Sequence, residues 1–166
     1  MAENLDVLLS IAEISVAFAG FSGIITAVVG RDGSDWDQGN LSRFRLMIFS
    51  SLSAIVASLL PFAFLLNSDS INWVWCIGLL GVYLLGFTIY WIRTFILARR
   101  NLNNYVSSLV SVLAILTTLI QFIALAGFIN PDLGIYFLGV YYLFIQTFIA
   151  FIRLVTEAIL KNNSTN

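Results

Sequence analysis

"LDVLLSIAEISVAFAGFSGIITAVV", residues 5–29, decides what kind of fold this chain can have. Nearly every side chain in it is apolar or small. Its length exceeds the roughly 20 residues that a helix needs to cross a hydrocarbon core of about 30 Å. One carboxylate, Glu13, lies well inside it. The segment reads as a membrane helix that stays in place. A secretory leader would need a cationic start, and no Lys or Arg precedes Arg31.

Working outward, the same signal recurs four times. The spacing predicts spans over about 5–29, 46–66, 73–97, 106–129 and 135–160, with polar, turn-like breaks between them. The break "NPDLG", residues 130–134, combines Asn, Pro and Gly and so marks a tight turn. The fold class read from this pattern is all-α: one transmembrane domain, residues 1–166, built as an integral membrane bundle of five helices. Composition agrees. The 166 residues are 60% hydrophobic and 10% charged, with a mean hydropathy of +0.95. Soluble domains carry about 25% charged residues.

Sidedness is read from the cations, which stay cytoplasmic. Arg31, Arg43 and Arg45 flank the first break, Arg93, Arg99 and Arg100 the third, and Arg153 and Lys161 the C-terminal end. The N-terminus and the second and fourth breaks carry none. Five crossings satisfy this pattern with the N-terminus outside and the C-terminus cytoplasmic. Arg93, Arg99 and Arg100 are expected to meet anionic lipid headgroups there. Trp73, Trp75 and Tyr136 are expected at the outer interface, where amphipathic rings settle.

What is missing excludes several chemistries. There is no histidine, and Cys76 is the only cysteine. Histidine-based catalysis, bis-histidine haem, iron–sulfur clusters and thiolate zinc sites are thereby excluded. Asp32, Asp35 and Asp37 lie in the first loop, but the EF-hand pattern counted from Asp35 meets Asn40 and Leu46 where Gly and Glu are required. The loop reads as a solvated turn. The net charge of −1 and the absence of a basic run give no nucleic-acid signal. No enzyme activity, no cofactor and no metal are expected.

Two features of the first span could carry function. One is its small-residue stripe: Ala12, Ala19, Gly20, Gly23, Ala27 and Gly30, with Ser15 and Ala17 beside it. Small residues let helix backbones approach closely in lipid, so Ala19, Gly20, Gly23 and Ala27 are expected to pack on protein, either helix two or a second copy. The other is Glu13. By depth counting it shares an outer-leaflet layer with Gln121 and with Tyr141 or Tyr142, and a polar layer of these residues is expected. Three roles stay open for the acid: hydrogen-bonded inside the bundle, snorkelling to the headgroups, or handling ions or protons in a cavity or on an oligomer axis.

The stretches "IAEISVAFAGFSGI" (residues 11–24) and "FIAFIRLV" (residues 148–155), with Pro61 in the second span, resemble a family of small bacterial multi-pass membrane proteins. The resemblance implies a bacterial, Gram-negative origin, so a bacterial inner membrane is the expected location, and it carries no activity, ligand or catalytic residue. The function expected from the residues is a small homo-oligomeric membrane protein, an ion channel or pore with an intramembrane glutamate. The alternatives are a non-conducting partner or scaffold subunit bound to another membrane protein, and a dimeric small transporter.

Overall fold

The computed structural model describes residues 2–31, 38–66, 71–97 and 105–164. Side chains are described for residues 5–24, 44–66, 71–90 and 109–156, and for Leu41 and Arg93. Five helices follow in order: α1 Ala2–Arg31, α2 Gln38–Leu65, α3 Trp73–Leu97, α4 Tyr105–Leu125 and α5 Leu133–Ser164. Four of them contain stretches long and apolar enough to cross a membrane: Leu5–Ile24, Phe44–Leu65, Trp73–Tyr90 and Leu133–Thr156. In α4 the described apolar stretch is shorter, Leu109–Leu125.

Helix is the form that lets such a chain satisfy its backbone without water. Hydroxyl side chains fit the same rule by bonding to carbonyls a turn earlier. Ser50 donates to Leu46 O at 2.7 Å, Thr118 to Ala114 O at 2.7 Å and Thr156 to Ile152 O at 2.8 Å. Pro61 lies buried within α2, and the helix continues past it. An internal proline removes one backbone hydrogen bond, which neighbouring groups can compensate in a membrane bundle.

The helix ends show why two connections are so short. Asn72 caps α3, its Oδ1 accepting from Trp75 N at 3.4 Å. Asp132 caps α5, its Oδ1 accepting from Ile135 N at 3.0 Å. The end of α4 differs from the sequence expectation. The span read as 106–129 stops at Leu125, because Gly127 adopts a φ of 84° and closes a Schellman cap. Gly127 N donates to Ala124 O at 3.0 Å and Phe128 N to Ile123 O at 3.2 Å. Phe128 and Ile129, counted into the span, lie exposed in the connection.

Burial departs from that of a water-soluble fold, with polar side chains inside beside the apolar ones and large apolar side chains outside. Ser15, Ser50, Ser51, Ser58, Gln121 and Thr147 are fully buried, whereas Val56, Val82 and Tyr90 are 66%, 64% and 67% exposed. Apolar surface turned outward around a partly polar interior is what a hydrocarbon solvent favours. Together with the four long apolar helices, it points to an integral membrane protein.

The chain forms two compact units, residues 1–59 with 143–166, and residues 60–142. In the first, α1 packs against the second half of α5 through aromatic rings. Phe18 lies 6.2 Å from Phe144, 6.2 Å from Phe148 and 5.2 Å from Phe151, and Phe21 lies 5.1 Å from Phe151. In the second, α3 packs along α4. The start of α3 meets the start of α5, with the rings of Trp73 and Tyr136 5.9 Å apart. Tyr136 is therefore wholly buried under Trp73 and does not face headgroups as expected. Cys76, one turn further along α3, is also fully buried.

Candidate functional site

The first unit places Glu13 on the exposed side of α1. At 100° per residue, α1 buries the side that carries Leu8, Ser15 and Ser22, which repeat every seven residues. Glu13 falls on the opposite side with Ala17, Gly20 and Ile24, all exposed. Among the described residues Glu13 has no hydrogen-bond or ion-pair partner. Among the described residues, then, Glu13 is exposed and makes no hydrogen bond inside the bundle.

The small-residue stripe divides between these two sides. Ala12 is buried and Ala19 half-buried, but Gly20 and Gly23 are exposed, and a Cβ built on either would meet nothing within 4 Å. Among the described residues nothing packs on Gly20 or Gly23, and the buried side of α1 is the one that carries Leu8, Ser15 and Ser22. The side chain of Ala27, and Arg99 and Arg100, lie outside the described residues. Arg93 is exposed.

Behind Ser15 the first unit has a polar interior. Thr147 Oγ1 of α5 donates to Ser50 Oγ of α2 at 2.9 Å, and lies 3.0 Å from Leu143 O. A single interhelical hydrogen bond of this kind is worth about 0.6 kcal/mol in a membrane protein. Thr147→Val keeps the shape and removes the hydroxyl, so thermal unfolding in detergent should show a loss of about 0.5–1 kcal/mol.

The second unit holds Gln121 of α4 in a slot between two glycines. A Cβ at Gly81 of α3 would lie 3.2 Å from Gln121 Oε1, and one at Gly139 of α5 would run into Gln121 Nε2 and come within 2.7 Å of Leu80 Cδ2. Gln121 is fully buried, and neither amide atom has a protein hydrogen-bond partner. Tyr142, one turn after Gly139, is buried in the same unit. Tyr141 points outward, 44% exposed, with its ring stacked 5.6 Å from that of Phe137. Of the expected polar layer, Gln121 and Tyr142 are thus both buried residues of one unit, and Glu13 belongs to the other.

Sequence reasoning missed Thr147 and the paired glycines. Thr147 is one hydroxyl among many in apolar helices. Glycine inside a helix costs about 1 kcal/mol relative to alanine, so Gly81 and Gly139 did signal a close approach, without naming what approaches. Among the described residues no group of His, Cys, Asp or Glu could hold a metal ion. Compared with protein-family models, curated proteins and solved structures, the chain finds no match.

Proposed function

We propose that the chain is a homo-oligomeric membrane protein that conducts ions, with α1 at the seam between copies and Glu13 beside the pathway. The reading adopts five crossings, an outer N-terminus, a cytoplasmic C-terminus and a bacterial inner membrane. Its main support is the position of Glu13: within the span Leu5–Ile24, exposed, and without a partner among the described residues. A carboxylate facing lipid is costly, and such groups usually face a bundle interior or a water-filled cavity. Gly20 and Gly23, on the exposed side of the same helix with open space above them, would let a second α1 approach closely.

Ion flux into liposomes carrying purified protein tests this reading. Flux above that of empty vesicles is expected for the native chain. Glu13→Leu should return it to the empty-vesicle rate, and Glu13→Gln should alter its ion selectivity. Mass measurement in nanodiscs should find more than one copy. An absence of flux at every pH and potential would overturn conduction and favour the non-conducting partner reading, in which the same face of α1 holds another protein. A strict monomer would overturn the seam.

A further inference from the structure

The polar interior of the first unit has no part in the pathway proposed above. Ser15 and Ser22 of α1, Ser50, Ser51 and Ser58 of α2, and Thr147 of α5 are all buried there. Their levels can be compared. Phe18 meets Phe144, Phe148 and Phe151, while Phe21 meets Phe151, so α1 and α5 run in the same direction. Ser15 precedes Phe18 by three residues, about 4.5 Å of rise, which brings it level with the turn of α5 that contains Thr147. Thr147 in turn touches Ser50. Three helices therefore bring hydroxyls to one layer. Ser22 extends the polar lining along α1 and Ser58 along α2.

Most of these hydroxyls are accounted for. Ser22, Ser50, Ser51 and Thr147 have hydrogen bonds to carbonyls of their own helices or to each other. Ser15 Oγ and Ser58 Oγ have no protein partner, although both residues are fully buried. Each needs an acceptor for its proton and offers lone pairs as well. A cation would supply no acceptor. No charged side chain is buried among the described residues to balance one. A water molecule supplies both functions, and buried waters typically make about three hydrogen bonds to groups of this kind.

We propose that the Ser15–Ser50–Thr147 layer, with Ser58 beyond it, binds ordered water inside a single protomer. Its lining is hydroxyl and uncharged, which suits a small neutral molecule. It gives water a resting place in the apolar depth of one subunit, independent of any seam between copies.

Water-edited solid-state NMR of the protein in bilayers tests this. Magnetisation from water protons should reach Ser15, Ser50, Ser58 and Thr147 as fast as it reaches residues at the helix ends. Leu8, a fully buried apolar position of the same unit two turns before Ser15, serves as the dry control. Ser15→Ala should abolish the fast transfer at Thr147, and Thr147→Val should abolish it at Ser15. Transfer to the four hydroxyl residues no faster than to Leu8 would overturn the proposal, even if neither variant folds. Transfer that survives both substitutions would overturn the assigned site.

Discussion

Gly139→Val is expected to destabilise the second unit by about 1–3 kcal/mol, the usual range for overpacking a filled interior. Gly139 lies where α5 crosses the end of the Gln121 side chain. Even one added carbon would run into Gln121 Nε2 and approach Leu80 Cδ2 at 2.7 Å. Both obstacles are tips of flexible side chains, so Gly139→Ala should cost less than Gly139→Val. Gln121 has nowhere inexpensive to go, however, since Gly81 bounds its other amide atom. Gly86→Ala supplies the control, because a Cβ there meets nothing within 4 Å. The coupling can be isolated with Gln121→Ala, which should relieve most of the penalty of Gly139→Ala in a double-mutant cycle. Thermal unfolding in detergent measures all of these. Equal losses for Gly139→Ala and Gly86→Ala would mean that the slot is not filled as described.

Phe18→Ala is expected to loosen α1 from α5. One ring of α1 meets three of α5, at 5.2–6.2 Å between centroids and tilted or edge-on. Each aromatic pair in such an arrangement adds about 0.5–1.5 kcal/mol beyond area burial. Removing the shared member should therefore cost roughly 2–4 kcal/mol of helix association. In lipid the loss is one of packing, because water is not expelled when the rings meet. Phe18→Leu, which keeps apolar volume and removes the ring, should fall between Phe18→Ala and the native chain. Protease susceptibility of α1 in mild detergent is a suitable measure. No change for Phe18→Ala would show that α1 is held by Ser15, Leu8 and Ser22 without its aromatic contacts.

The helices were legible in the sequence because lipid imposes one demand on every segment that crosses it: a long apolar run with its backbone satisfied internally. The expected third span, 73–97, coincides with the limits of α3. The expected fourth span runs too long because Phe128 and Ile129 are apolar. Hydropathy does not register that Gly127 has already turned the chain. Side-chain direction was less legible still. Glu13, Gly20 and Ser15 lie within eight residues, yet the helix turns Ser15 inward and the other two outward. Hydropathy offers little help with such a choice, since lipid accepts small and apolar residues on either side. The partner of Gln121 was hidden for a related reason: glycine has no side chain to declare what it accommodates, and Gly81 and Gly139 are 58 residues apart.

The lone thiol of Cys76 lies in the interior of its unit, out of reach of solvent-borne maleimides. The native chain is therefore already a nearly silent background for site-directed labelling. Single cysteines introduced near Met1, in the first loop and beyond Ser164 could be probed with impermeant reagents from either side of intact vesicles, without first engineering Cys76 away. Accessibility mapping of this kind would give the sidedness of both termini from one set of variants.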